Sequence, residues 1–338
     1  MTDPDRDQAP PAASSVHPFS AMNPGLLLDM VESTGLAPDG RLLALNSYEN
    51  RVYQIGLDDG DFVILKVYRP GRWSAEALQE EHAFAHELAD HDIPVVPPLA
   101  AGHETLRAYQ GFFFAVYPRR GGHAPELDDP DTLEWLGRLL GRLHTVGAAR
   151  QFQHRPQVDA EWMGRGSRDF LLAEGWIPDH LEPAYRSLTD DLLLDIEAAF
   201  QRAGEWTPIR LHGDFHPGNI LWTPAGPHLV DLDDCRTGPA IQDLWMMLAG
   251  DRPERTIQLA DLLTGYEQFC EFDPRELQLL EALRTLRMMH YAAWLARRWD
   301  DPAFPAAFPW FGDHRYWEAH VLSLREQAAA MQEPPLCV

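Results

Sequence analysis

Residues 211–219 read Leu-His-Gly-Asp-Phe-His-Pro-Gly-Asn, and residues 231–234 read Asp-Leu-Asp-Asp. Between them, Asn219-Ile220-Leu221-Trp222, a turn over residues 223–227 and His228-Leu229-Val230 carry the apolar runs and turn residues of a β-hairpin. That hairpin gathers Asp214 in a loop, Asn219 at the start of one strand and Asp231 just past the end of its partner. A general base, an amide oxygen and a carboxylate at one point suit a hydroxyl nucleophile and a hard divalent cation such as Mg2+, which takes oxygen ligands.

Outward from the hairpin the periodicity is helical. Leu133, Leu136, Leu139, Leu140 and Leu143 mark one helix, and helical patterns also cover residues 181–203, 241–250, 253–270, 274–299 and 315–331. Before residue 119 the pattern is β-rich. Residues 42–45, 51–55 and 62–68 read as three consecutive antiparallel strands, with Asp58-Asp59-Gly60 as a turn and Arg69-Pro70-Gly71 as a stop. Ser74 caps a helix to about Ala89, residues 93–98 are extended, and residues 111–117 form a further apolar strand ended by Pro118. No internal repeat is present. The expected fold is α+β and two-lobed: a small β-rich lobe over residues 19–118 and a larger helical lobe over 119–338, after a solvated tail over 1–18.

The chain has 338 residues, 45% hydrophobic and 24% charged, with a formal net charge of −24. Such a field repels nucleic-acid phosphates and anionic lipid, so neither is expected as a partner. No run of ~18 apolar residues predicts a membrane span, and the polar N-terminus is not a secretory signal. Cys235, Cys270 and Cys337 are odd in number and far apart, which predicts a reducing, cytoplasmic setting rather than a disulfide framework. Of the 28 basic residues only Lys66, on the third strand, is a lysine. Ammonium is a compact point charge and guanidinium a wide planar fork, so a site that keeps the one lysine needs the smaller group.

His-x-Asp-x-x-x-x-Asn followed by a metal-binding Asp is the apparatus of protein-kinase-like folds, and the His-Gly-Asp form resembles the aminoglycoside-phosphotransferase branch. Four blocks narrow the likeness: residues 45–53 (LNSYENRVY), 211–222 (LHGDFHPGNILW), 230–248 (VDLDDCRTGPAIQDLWMML) and 293–299 (AWLARRW). Together they resemble the bacterial stress response kinase A family from about Phe19 to Met331. The resemblance implies a two-lobed, cytoplasmic, ATP-dependent Ser/Thr protein kinase acting on protein hydroxyls, its own included, and expected as a monomer. Asp214 then resembles the catalytic base, while Asn219 and Asp231 resemble the ligands of Mg2+ on ATP. Lys66 falls where such folds place the lysine of the α- and β-phosphates, with Glu81 or Glu80 as its ion-pair partner.

Residues 46–50 (Asn-Ser-Tyr-Glu-Asn) occupy the phosphate-covering position without a glycine; backbone N–H groups and the Ser47 hydroxyl are its donors. Ala115, Val116 and Tyr117 are expected to offer adenine its backbone hydrogen bonds. Asp233 is open between a second-metal ligand and a solvated neighbour. His82 and His86 are expected on a wet helix face, and His212 as a brace of the loop. Asp243, by resemblance, holds the catalytic-loop backbone. Arg284, Arg287, His290 and Trp294 form a helical stripe, read first as core packing and second as a wall of the acceptor groove.

Only eleven residues separate Asp231 from Asp243, too few for a phosphorylatable activation loop. That keeps small-molecule kinases of the homoserine, choline or aminoglycoside type as the alternative, since an acidic cleft suits a cationic small acceptor as well as a basic peptide. A nucleotide-binding pseudokinase is disfavoured because Lys66, Asp214, Asn219 and Asp231 are all present.

Overall fold

The structure, a computed structural model, describes residues 17–338, so the expected tail lies outside the described residues except for His17 and Pro18. Helix α1 (Pro24–Glu32) opens on Asn23, whose side chain accepts the Leu26 N–H at 3.0 Å. Strands β1 (Pro38–Ala44), β2 (Arg51–Leu57) and β3 (Phe62–Val67) are successive antiparallel neighbours, as the alternation predicts. Helix α2 (Ala75–Asp90) follows its expected Ser74 cap, which accepts the Ala77 N–H at 3.2 Å. Strands β4 (Arg107–Tyr109) and β5 (Phe112–Pro118) form a hairpin turned by Gln110 and Gly111, both at positive φ (46° and 87°). The sheet order β1-β2-β3-β5-β4 sets β3 at the centre. Met30 and Val31 of α1 pack behind it on Ile55, Leu65 and Phe114.

Beyond Pro118 the chain is mostly helical. Helices α3 (Pro130–Ala148), α4 (Gly166–Ala173) and α5 (Glu182–Ala203) precede two small antiparallel pairs. These are β6 (Ile209–Leu211) with β9 (Arg236–Gly238), and β7 (Ile220–Thr223) with β8 (Gly226–Leu229). Helices α6 (Ile241–Leu244), α7 (Arg252–Tyr266), α8 (Leu280–Ala296), α9 (Ala303–Ala307) and α10 (His314–Met331) complete the chain. Helices α3 and α7 lie so close that a Cβ on Gly137 would sit 1.9 Å from the Leu262 carbonyl oxygen. One core joins α3 and α7 to the sheet pairs; a second joins α5, α8 and α10 through Ile196, Leu286 and Leu324. Phe84 and Leu88 of α2 belong to the first of these cores, so the helix is fixed to the C-terminal part and not only to its own sheet.

Several expectations shift. The helix expected over 241–250 is α6 plus a tight turn over Trp245–Met247, because Gly250 (φ 83°) reverses the chain before the Asp251–Glu254 capping box of α7. The pattern over 274–299 begins as a 3-10 turn (Pro274–Leu279) before α8. The hairpin turn closes over Pro224 and Ala225 alone, with Thr223 paired to Gly226. Helix α1 and the short β4, β6 and β9 were not expected; three-residue strands hold too little alternation to show a period.

Candidate active site

The loop that carries Asp214 starts where β6 ends. Gly213 has φ 83°, and a Cβ there would lie 2.1 Å from the Asp234 carbonyl oxygen, so glycine is required on both counts. The wholly buried Asp243 accepts the His212 N–H at 2.9 Å and the Gly213 N–H at 2.8 Å. His144 Nε2 lies 3.1 Å from the same carboxylate, and its Nδ1 lies 3.0 Å from the Tyr266 hydroxyl. His212, equally buried, reaches the Val230 carbonyl at 3.1 Å. Asp243 and His212 thus stand where they were expected, as braces of the loop.

That frame presents Asp214 to the cleft. Its Oδ1 is 2.7 Å from Arg287 and its Oδ2 3.3 Å from His216 Nε2. Burial pushes the carboxyl up, but the His216 hydrogen bond and the Arg287 charge outweigh it and hold the acid below its ordinary value. Asn219 donates its amide N–H to the Asp214 carbonyl at 2.9 Å.

Asp231 follows β8 in a left-handed conformation (φ 62°, ψ 67°). Its Oδ1 lies 2.8 Å from Lys66 Nζ, and its side chain is 51% exposed. Lys66 is also 3.4 Å from Glu81 and 3.4 Å from Asp233. Burial alone would lower the ammonium, but Asp231, Asp233 and Glu81 together hold it well above its usual range. Glu81 is itself pushed up to about 7 by burial, against the pull of Lys66. The choice between glutamates resolves on Glu81: Glu80 turns away and accepts the N–H groups of Gln153, His154 and Arg155.

The loop over residues 46–50 is gripped from the far lobe. Glu49 accepts the Trp294 indole N–H at 2.5 Å and pairs with Arg298 at 2.5 Å and Arg69 at 3.0 Å. Asp301, 2% exposed, takes Arg51 through both carboxylate oxygens at 2.9 Å and Arg69 at 2.7 Å. Tyr48 meets Phe308 edge-on at 4.8 Å. Ser47 donates to the Asn50 carbonyl at 3.2 Å, and the Arg69 N–H donates to Asn50 Oδ1 at 3.0 Å. Sequence reasoning missed Glu49, Arg69 and Asp301; the one available signal was the Trp294–Arg298 block, whose arginines had no assigned partner.

Other placements correct the expectations. His82 is not on a wet face: it is 2% exposed, 2.7 Å from the Tyr68 hydroxyl and 2.9 Å from Thr105 Oγ1. Burial, aided by the Lys66 charge, drives it down to about 3. His86 is only half-buried. Asp233 is not a solvated neighbour either; it is 3% exposed and engaged by Arg72 as well as Lys66. Of the three residues assigned to adenine, only Tyr117 lines the cleft. Ala115 and Val116 are buried in the sheet, and the Val116 carbonyl accepts the Leu99 N–H at 2.7 Å. The α8 stripe is not core packing throughout: Arg287, His290 and Trp294 line the cleft, while Arg284 is 41% exposed beside Glu281.

These side chains surround one cleft of about 1250 Å³. It is not acidic. Eight arginines and lysines line it against six aspartates and glutamates, in a chain that holds 28 and 52. The donor set fits a hard divalent cation: the Asn219 amide N–H is spent on Asp214, which leaves its carbonyl oxygen, and the half-exposed Asp231 keeps one oxygen away from Lys66.

The model of the phosphotransferase enzyme family matches residues 41–280. Stress response kinase A of Escherichia coli K12 is 44% identical over 323 residues, covering 96% of this chain and 98% of that protein. The serine/threonine protein kinase RdoA of Salmonella typhimurium LT2 is 44% identical over 319 residues, 94% and 96% of the two chains. Among solved structures, an amicoumacin kinase bound to AMP-PNP and Ca2+ superposes with a TM-score of 0.68 at 21% identity, covering 91% of this chain and 94% of that one. A spectinomycin phosphotransferase bound to ADP and its antibiotic gives 0.66 at 14% identity, over 92% and 99%. The fold is therefore the two-lobed, kinase-like one of the aminoglycoside phosphotransferases. The chain belongs to the phosphotransferase enzyme family, within it to the stress response kinase A group, and is a phosphotransferase.

Proposed function

We propose that the chain transfers the γ-phosphoryl group of ATP to Ser or Thr hydroxyls of proteins, its own included, with Mg2+ as cofactor. The observation that carries this reading is the convergence of Lys66, Asp214, Asn219 and Asp231 on one cleft, in a chain 44% identical to a relative named as a serine/threonine protein kinase. Residues 19–118 form the nucleotide lobe and residues 119–338 the catalytic lobe.

In this reading Lys66, kept charged by three carboxylates, contacts the α- and β-phosphates. Asn219 and Asp231 hold Mg2+, which neutralises charge on the phosphate oxygens. Tyr117 and the chain just beyond it border adenine, and Ser47 offers its hydroxyl to the phosphates. Asp233 acts through Lys66 and Arg72 and binds no second metal. Asp214 accepts the proton of the acceptor hydroxyl as its oxygen bonds to the γ-phosphorus. The bond from that phosphorus to the β-phosphate oxygen breaks, and ADP leaves. Asp214 is held ionised by His216 and Arg287, the state a base must have. The unpaired thiols Cys235, Cys270 and Cys337 accord with a cytoplasmic setting.

The short span between Asp231 and Asp243 favours a second reading, a small-molecule kinase. Labelled ATP offered with generic protein acceptors and, separately, with a panel of amino alcohols divides the two. Label on protein Ser and Thr, mapped by mass spectrometry, is the expected result; fast turnover on the small molecules alone overturns it.

A further inference from the structure

The charges in the cleft are not distributed evenly. Most of the cations that line it are matched: Lys66 by Asp231 and Glu81, Arg72 by Asp233 and Asp234, and Arg298, in the turn after α8, by Glu49, whereas Arg120 beyond β5 has no carboxylate within ion-pair distance among the described residues. On the wall made by α8 and the turn after it, Arg287 and Arg297 are different. Arg287 has Asp214 as its carboxylate partner and remains 42% exposed. Arg297 has no carboxylate within ion-pair distance among the described residues. It donates to the Gly166 carbonyl at 3.2 Å and lies 4.7 Å over the Phe170 ring. Burial lowers its affinity for the proton with no acid nearby to offset it. Trp162 and Tyr291 also line the cleft and are 46% and 40% exposed. His290, 4.3 Å from the Trp162 ring, is driven down to about 3 by burial and the neighbouring arginines, so it adds no charge.

A wall that carries two guanidiniums and exposed aromatic rings repels a lysine or arginine and offers substrate carboxylates forked donors. We propose that the acceptor is a Ser or Thr segment of a protein with Asp or Glu beside the phosphorylated hydroxyl, read by Arg287 and Arg297. The proposal rests on the protein-kinase reading above. A substrate carboxylate that draws Arg287 to itself also uncovers Oδ1 of Asp214 for the hydroxyl proton, while His216 stays on Oδ2 and keeps the base ionised. The contact that selects the acceptor then readies the base.

The test uses the full chain with Mg·ATP and three peptides on one scaffold, a central Ser flanked by Glu, Gln or Lys. The Glu-flanked peptide is expected to exceed the Lys-flanked one in kcat/KM by at least about 10-fold, chiefly through KM. Arg297→Gln narrows that ratio about 5-fold and Arg297→Lys restores part of it, which a merely structural role for the residue would not produce. Equal rates on all three peptides, or preference for Lys flanks, overturn the proposal and leave the protein-kinase reading standing. Phosphorylation of amino alcohols with no turnover of any peptide overturns both.

Discussion

The loop over residues 212–219 and the loop over residues 46–50 border the same cleft but are held by different forces. The loop from His212 to Asn219 is fixed through its backbone, by two N–H bonds to the buried Asp243 and by the glycine conformation at 213. The loop over residues 46–50 is fixed through side chains, by ion pairs from Glu49 and from Arg51 and Arg69 to Arg298 and Asp301 in the other lobe. Backbone bonds to one buried acid give a rigid element that positions a reacting atom. Side-chain pairs across the lobes give an element whose position depends on how the lobes sit, which suits the part proposed to admit and release the nucleotide.

The largest effect is expected at the rigid element. Asp214→Asn should cut phosphoryl transfer by about 10³-fold, the size of a lost general base, while fluorescent nucleotide still binds. Across the cleft, Lys66→Arg should lose about 10²-fold with an unchanged melting profile, because a planar fork cannot take the place of a point charge between three carboxylates; near-normal turnover would falsify the assigned role. Asp243→Ala leaves two buried N–H groups and His144 without their acceptor. Chemical denaturation should show a loss of about 3 kcal/mol in addition to lost activity.

At the side-chain-held element the effect is smaller and of another kind. Asp301→Asn should raise KM for ATP about 5-fold with kcat little changed, as expected when binding is weakened equally in ground and transition states. A fall in kcat with constant KM would show that the two loops are one unit and erase the contrast. The smallest effect is a pH dependence of the rigid element's support. Glu276 accepts the Ile241 N–H at 2.9 Å at the start of α6, the helix that carries Asp243. Burial pushes Glu276 from its ordinary 4.5 up to about 7. Its protonated form is the one the fold prefers, so its contribution is complete below about pH 4.5 and is lost as pH rises through 7. Melting temperatures measured from pH 5 to 8 should fall less in Glu276→Gln than in the parent chain.

The same contrast explains what was legible in the sequence. The rigid element is local: Asp214, Asn219 and Asp231 lie within eighteen residues, and a hairpin between them is enough to bring them together. Lys66 stands out as the only lysine among 28 basic residues, on a strand that announces itself by β-branched and aromatic residues. The side-chain-held element spans 250 residues from Arg51 to Asp301, and no periodicity links positions so far apart. His82 failed for a related reason: its i, i+4 spacing with His86 is visible, but its partners Tyr68 and Thr105 come from other segments. The acidic cleft was inferred from the charge of the whole chain, whereas local folding concentrates cations where the acids are few.

The backbone at residue 231 narrows what substitution can achieve there. A left-handed φ of 62° is open to Asp, Asn and Gly and strained for β-branched side chains. Variant libraries at this position should therefore return correctly folded protein with Asn or Gly and poorly folded protein with Val or Ile. Of the tolerated residues only Asp offers a charge to Lys66, so conformation and chemistry together leave the position a single functional occupant.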